Sequence, residues 1–245
     1  MTKETEQLVK IVKESNNIVF FGGAGVSTES GIPDFRSENG LYTTGQGEKY
    51  SPEQLLSHSF FMRHTFDFFR YYKNHMIYRD ARPNKAHFAL AKLEKLGKLS
   101  AVITQNIDSL HQMAGSQTVY ELHGSSYRNY CMKCRKSYGL DEIMDMDTVP
   151  ICLDCGGVIK PDVVLYEEQL NQAVLQKAVD AIAKSDTMIV GGTSLVVWPA
   201  ASLIEYFNED NLILINKSET NYDTRASFVI HDSIGEVLDT VIQNI

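Results

Sequence analysis

Ile18-Val19-Phe20-Phe21-Gly22-Gly23-Ala24-Gly25-Val26-Ser27-Thr28-Glu29-Ser30-Gly31-Ile32-Pro33-Asp34-Phe35-Arg36 opens with four consecutive apolar residues that run straight into a glycine-rich bend. A run this short and apolar reads as a buried strand. A strand feeding such a bend can bring bare backbone N–H groups against a diphosphate, an approach that larger side chains would block. Arg36 adds a forked, permanently charged donor suited to phosphate oxygens. Thr28 stands where the usual dinucleotide fingerprint has its third glycine, so this is not a standard dehydrogenase loop. For the glycines alone, a tight strand-to-loop turn without a ligand is the competing reading.

The pattern repeats outward. Leu8, Ile11 and Val12 share one helical face over roughly 3–14, ahead of the first strand. Ala86, Ala89, Leu90, Leu93 and Leu96 mark a second helix, ended by Gly97 and followed by a strand over 99–104. Leu170, Val174, Leu175, Ala178 and Ile182 define a third helix before a strand over 187–190, and a helix near 199–207 precedes a strand over 211–216. Helices alternating with nearly all-apolar strands predict an α/β fold: a doubly wound, Rossmann-like parallel sheet covered on both faces. Its ligand belongs at the carboxyl ends of the strands, where Gly22, Gln105-Asn106, Gly191-Gly192-Thr193-Ser194 and Asn216 fall.

Two stretches break the alternation. Residues 38–82 read as a helical insertion whose aromatics (Phe60, Phe61, Phe66, Phe68, Phe69, Tyr71, Tyr72) are packing residues. Residues 125–161 hold all four cysteines. The expected division is a dinucleotide-binding domain of 1–37, 83–124 and 162–245, and a small domain made of the two insertions.

With 245 residues, 43% hydrophobic and 22% charged, the chain has an ordinary globular balance and enough length for a substantial core. The net charge of −8 and the lack of a basic stretch argue against nucleic acid or anionic lipid as partners. The first residues are polar and charged, and no apolar run approaches membrane-spanning length, so a cytoplasmic location with reduced cysteines is expected.

Cys131-Met132-Lys133-Cys134 and Cys152-Leu153-Asp154-Cys155 are two Cys-x-x-Cys knuckles with zinc-ribbon spacing. Four thiolates close the coordination sphere, so one zinc held by Cys131, Cys134, Cys152 and Cys155 would be structural. Disulfides are the competing reading, and nothing in the sequence suggests an oxidising compartment. Basic and acidic residues balance across the segment, which makes it a poor nucleic-acid binder.

Thr104-Gln105-Asn106-Ile107-Asp108 closes a strand, and Glu121-Leu122-His123-Gly124 lies just before the cysteine segment. His58, His64, His75, His87 and His231 are read as structural and His111 as a brace for its local turn. His123, at a strand end beside a glycine, is the candidate base, because imidazole titrates near neutral pH.

Gly-Ala-Gly-Val-Ser at 23–27, Gly-Ile-Pro-Asp-Phe-Arg at 31–36, Thr-Gln-Asn-Ile-Asp at 104–108, Leu-His-Gly at 122–124, the paired knuckles, Pro161-Asp162-Val163-Val164, Gly192-Thr193-Ser194-Leu195 and Asn216 together resemble, in order, the signatures of the sirtuins, the NAD-dependent protein-lysine deacylases. The resemblance implies transfer of an acyl group from lysine to the ADP-ribose of NAD with release of nicotinamide. The acyl oxygen would attack the anomeric carbon as nicotinamide leaves, and His123 would then take a proton from a ribose hydroxyl. By the same resemblance, Gly23, Ala24, Gly25, Thr28, Asp34 and Arg36 would form the phosphate and ribose loop, with Phe35 and Ile107 enclosing the nicotinamide ring. Asn106, also catalytic, and Asp108 would hold the carboxamide and ribose, and Gln105 the ribose. Gly192, Thr193 and Ser194 would meet the diphosphate or adenosine ribose, Asn216 the adenosine and Ile234 the adenine.

An acyl-lysine protein or peptide would enter as an extended strand beside Val163 and Val164. Two departures stand out. Gly22 replaces the family's usual threonine, which would loosen the loop, and Glu167 replaces a glycine before Glu168, which would alter peptide docking. The helix Phe68-Phe69-Arg70-Tyr71-Tyr72-Lys73 lacks the Tyr-x-x-Arg pair of desuccinylases, so neutral acyl groups, acetyl first, are expected, with Lys73 nearby as an opening for acid-tailed ones. The alternatives are a protein ADP-ribosyltransferase, and a non-catalytic NAD-sensing or zinc-ribbon scaffold.

Overall fold

Ile18, Val19, Phe20 and Phe21 are all fully buried, as happens only in a strand covered on both faces. They form β1 (Ile18–Gly22). The computed structural model describes residues 2–35, 40 and 50–245; Arg36 and most of 38–49, the start of the expected helical insertion, lie outside the described residues. β1 pairs in parallel with β2 (Leu99–Thr104) and β7 (Thr187–Gly191). Further out lie β3 (Val119–Glu121) beyond β2, and β8 (Asn211–Ile215) then β9 (Phe228–Ile230) beyond β7. The order β3-β2-β1-β7-β8-β9 runs in opposite directions on either side of the β1/β7 pair. That pair is the topological switch point, where connections diverge and leave a crevice at the strand ends.

Alternate residues of each strand feed opposite cores. Ile18, Phe20, Val102, Ile189 and Ile213 pack under the helices Lys3–Glu14, Lys85–Lys95 and Ile234–Gln243. Val19, Phe21, Ile103, Met188, Val190 and Leu214 face the helix Gln172–Lys184 and the 3₁₀ helix Ala200–Tyr206. The expected third helix starts later than Leu170, because Asn171 Oδ1 accepts from Ala173 N and Val174 N and caps it there. The segment expected as a helix near 199–207 is a 3₁₀ helix.

The cysteine segment contributes to a second, antiparallel sheet of β4 (Gly124–Cys131), β5 (Ser137–Gly139) and β6 (Ile159–Val163), ordered β5-β4-β6. Among the described residues, its buried cluster is Cys131, Tyr138, Leu140, Ile143, Cys152 and Ile159, with partly buried Tyr127, Met144 and Met146 packed against it. The described part of the helical insertion folds as helices Pro52–Leu55, His58–Arg63 and Thr65–His75. As expected, Phe60, Phe61, Phe68, Phe69, Tyr71 and Tyr72 are packed together in the core of this module, whereas Phe66 is 58% exposed. Its backbone joins the loop after β6: His58 N donates to Tyr166 O (2.9 Å) and Tyr166 N to Leu56 O (3.1 Å). Among the described residues no helix is long and apolar enough to cross a membrane.

Candidate active site

The ends of β1, β2, β7 and β8 open on one cavity of about 530 Å³, a size suited to a bound small molecule. Gly23, Ala24, Gly25, Thr28, Asp34, Phe35, Gln105, Asn106, Ile107, Asp108, His123, Val163, Val164, Gly192, Thr193, Ser194, Asn216 and Ile234 all line it.

After β1 the chain turns through two short 3₁₀ segments, Ala24–Val26 and Thr28–Ser30. Gly25 N donates to Gly192 O (2.8 Å), so the β1 and β7 bends lie backbone on backbone. A Cβ on Gly25 would come 2.8 Å from Gly192 Cα, and one on Gly192 2.3 Å from Val26 N. Gly192 also holds φ +61°, a left-handed conformation. Both positions therefore require glycine, which leaves the walls of the switch-point crevice built from bare backbone. Gly22 is explained locally: a Cβ there would lie 2.6 Å from the Phe20 ring, so glycine goes with this packing.

Three anchors fix the bend. Ser27 Oγ donates to Asp108 Oδ2 (2.6 Å) and accepts from Asn106 Nδ2 (3.1 Å), tying the bend to the end of β2. Asn84, N-cap of Lys85–Lys95, donates through Nδ2 to Val26 O (2.8 Å) and Ser30 Oγ (3.0 Å). Glu29 accepts from Ser233 Oγ and Gly235 N at the start of Ile234–Gln243. None of Ser27, Glu29 and Asn84 was singled out as a site residue from the sequence. The one available signal was Ser27's place inside the glycine motif.

Asp108 is nearly buried. Desolvation holds its carboxyl above the ordinary range, opposed by the hydrogen bonds from Ser27 and Leu110 N. Gln105 Nε2 donates to Thr193 Oγ1 (3.1 Å), linking the β2 and β7 ends. The Asn216 amide is engaged at both ends, accepting from Thr193 N (3.0 Å) and donating to Thr193 O (2.7 Å), so it braces the bend after β7.

His123 Nδ1 lies 2.9 Å from Gln105 O. A carbonyl only accepts, so Nδ1 carries the proton and Nε2 is the basic nitrogen. Burial lowers the imidazole pKa below 6.5, with the Gln105 hydrogen bond acting the other way. The ring is therefore neutral at pH 7, the state a base requires. Along the expected peptide strand, Val164 N donates to His123 O (3.0 Å) and Val163 O accepts from Lys160 Nζ (3.0 Å). These bonds leave the Val164 carbonyl for an added strand. Glu167 adopts φ +75°, the conformation that favours glycine, and its carboxylate accepts from Ser59 N (2.8 Å) and Ser59 Oγ (3.0 Å). The glutamate at this position thus clamps the loop after β6 to the helical module.

Of the other histidines, His75 lines the cavity, whereas His87 and His111 are packed together outside it. His111 is buried against His87, with ring centroids 4.7 Å apart, and against Phe20 at 6.3 Å. Lys73 does not reach the cavity, since its Nζ donates to Met146 O (3.1 Å) and Asp147 O (2.9 Å).

Away from the crevice, the sulfurs of Cys131, Cys134, Cys152 and Cys155 all lie within 4.8 Å of one another. Cys131–Cys155 is 3.4 Å and Cys134–Cys152 is 3.6 Å. A tetrahedral zinc with Zn–S of about 2.3 Å places its sulfurs about 3.8 Å apart, so the four are positioned to bind one zinc. All four are free thiols. Tyr138 Oη, 3.1 Å from Cys152 Sγ, donates to it and holds that thiol down to about 6.

Comparison with known proteins gives a consistent result. A family model described as the Sir2 family matches residues 23–199. An NAD-dependent protein deacetylase of Clostridium acetobutylicum is 62% identical over 237 residues, covering 96% of this chain and 97% of that protein. Its counterpart in Clostridium perfringens is 59% identical over 243 residues, covering 99% and 100%. Among solved structures, a Sir2 with a deacetylated p53 peptide and 3′-O-acetyl ADP ribose superposes with a TM-score of 0.89 at 38% identity, covering 98% of this chain and 97% of that one. A Sir2–p53 peptide–NAD⁺ complex gives 0.86 at 37% identity, covering 99% and 98%.

Proposed function

The chain belongs to the Sir2 family, and from that membership we propose that it is an NAD-dependent protein-lysine deacetylase acting on acyl-lysine proteins or peptides. The observation that carries the reading is His123: a neutral imidazole, its tautomer set by Gln105, lining the same crevice as the glycine bend and the Asn106/Asp108 pair.

NAD, when bound, supplies the ADP-ribose that receives the acyl group and the nicotinamide that leaves. The donor set fits it. Backbone at 23–25 and 192–194 suits the diphosphate, Asn106 and Asp108 the carboxamide and inner ribose, Phe35 and Ile107 the ring, and Asn216 and Ile234 the adenosine end. Arg36 is assigned to the diphosphate by the family motif alone. With NAD bound, His123 Nε2 would take the proton of a ribose hydroxyl. Val163 and Val164 offer backbone to the peptide, giving affinity with little sequence selection. With Lys73 engaged by backbone carbonyls, neutral acyl groups, acetyl first, are the substrates. Zinc in the cysteine module is structural, since four thiolates leave no open position. The parallel sheet with 1–37, 83–124 and 162–245 serves as the NAD domain, the insertions 38–82 and 125–161 as the small domain, and the cytoplasm as the place of action.

The test is to incubate the protein with NAD and an acetyl-lysine peptide, then follow nicotinamide and the ribose-linked acetyl product by mass spectrometry. Nicotinamide release that depends on the acetylated peptide is expected. Release with unmodified protein, with ADP-ribose attached to it, would establish a transferase instead.

A further inference from the structure

Two adjacent carboxylates, Glu167 and Glu168, fix the loop after β6 from opposite sides. On the inner side Glu168 Oε2 accepts from Leu165 N (2.9 Å) and from Lys160 Nζ (3.2 Å), and the buried Lys160 also donates to Val163 O (3.0 Å). Burial acts to raise the Glu168 pKa. The hydrogen bonds from Leu165 N and His58 and the charge of Lys160 outweigh it, so the net shift is downward and the group stays ionised. On the outer side Tyr166 shares backbone hydrogen bonds with Leu56 and His58, and Glu167 accepts from Ser59 N (2.8 Å) and Ser59 Oγ (3.0 Å).

The Glu167 contacts stand apart from the rest. Its φ of +75° suits glycine and is unfavourable for a residue with a Cβ, so the side chain is kept there against the preference of its own backbone. Its partner is also a group that needs one. The first N–H groups of a helix have no acceptor within the helix. In His58–Arg63, Phe60 N donates to the cap Ser57 Oγ (3.2 Å), His58 N to Tyr166 O (2.9 Å) and Ser59 N to Glu167. The free donors of this helix are thus divided between its own cap and the loop that follows the peptide edge Val163-Val164.

We propose that Glu167 is a positioning residue for peptide docking: by binding Ser59 it holds the 163–168 segment against the helical module, so that an acyl-lysine peptide adds to an edge that is already ordered. This rests on the deacylase reading and names a residue that sets its peptide affinity. A strand added through backbone hydrogen bonds binds more tightly when the accepting edge need not be ordered at the moment of binding. The hydrogen bonds of Glu167 go to Ser59 rather than to His123 or the glycine bend, so the effect falls on peptide binding and not on the chemical step.

The experiment uses the full-length protein and the variants Glu167→Asn and Glu167→Gln. Asparagine tolerates positive φ but is a methylene shorter, whereas glutamine keeps the length and one acceptor oxygen. Peptide KM and kcat are measured with NAD and an acetyl-lysine peptide, and Kd for peptide and for NAD by calorimetry. Glu167→Asn is expected to raise peptide KM and Kd by about 3–10-fold, the scale of ordering one side chain or a short loop, with kcat and NAD Kd within about twofold. Glu167→Gln is expected to restore at least half of that change on a logarithmic scale. A rise of less than threefold in Glu167→Asn, or a Glu167→Gln no better than Glu167→Asn, would overturn the inference. So would a parallel shift of kcat and NAD Kd, the mark of a merely structural role. Absence of turnover by the wild-type protein would instead overturn the deacylase reading. Peptide Kd would then decide the role of Glu167 by the same threefold criterion, and a peptide that does not bind at all would overturn both.

Discussion

The parallel sheet and the cysteine module prepare their sites by opposite means. The crevice at the β1/β7 switch point is bounded by backbone held between two large cores, with Ile18, Phe20 and Ile189 on one face and Val19, Phe21 and Val190 on the other. Its shape is set by packing and by the anchors at Ser27, Glu29 and Asn84 before any ligand arrives. The cysteine module has a buried cluster of six residues, and two of these are Cys131 and Cys152 themselves. There the ligand is part of the core. One region shapes a site for a reactant that comes and goes, and the other depends on an ion that stays.

Metal removal should break the comparison most visibly. Structural zinc stabilises isolated zinc peptides by about 10–16 kcal/mol. Chelation, or Cys131→Ser, is expected to strip hydrogen-exchange protection from 124–163 while β1, β2, β7 and β8 keep theirs. Equal loss across both regions, or none, would contradict the division.

Acid should act on the sheet side through a different device. Burial holds His87 down to about 4 and His111 down to about 3, against about 6.5 in the unfolded chain. The unfolded chain therefore binds more protons in this window, and stability falls as pH drops from about 6.5 toward 3. The loss is on the order of several kcal/mol. In urea titrations across that range, His111→Phe should flatten the slope while the pH of zinc release stays put. An unchanged slope would remove this pair from the account.

A smaller effect sharpens the preorganisation claim. Gly25→Ala places a methyl 2.8 Å from Gly192 Cα, which rigid backbone on both sides cannot absorb cheaply. A loss of about 1–3 kcal/mol in stability, with NAD affinity weakened about tenfold or more by calorimetry, is the expected outcome. Wild-type affinity would mean that the bends are not held as tightly as the contacts imply.

Much of this was legible in the chain because the signals are local. Ile18–Phe21 and Thr187–Val190 are short apolar runs ended by glycines, and both knuckles fix their ligands by spacing. The edge strands Val119–Glu121 and Phe228–Ile230 were not, since three residues are too few for a period. Neither was the helix Ile234–Gln243, although its apolar face is continuous with the core. The motif-carried site residues that the structure describes, such as Gln105 and His123, line one cavity, while Arg36 lies outside the described residues. Asn84 and Glu29 escaped because their roles depend on partners 54 and 206 residues away, and no local pattern announces such contacts. Glu167 showed only as a departure. Its clamp on Ser59 needed the fold to be seen.

The central claim is that a neutral His123 beside the inner end of the crevice acts as base without holding NAD in place. His123→Ala tests it most directly, with NAD affinity by calorimetry and acetyl-lysine turnover measured on the same preparation. Affinity within a few-fold of wild type and turnover reduced by roughly 10²–10⁴ are predicted. Turnover at the wild-type level would contradict the account.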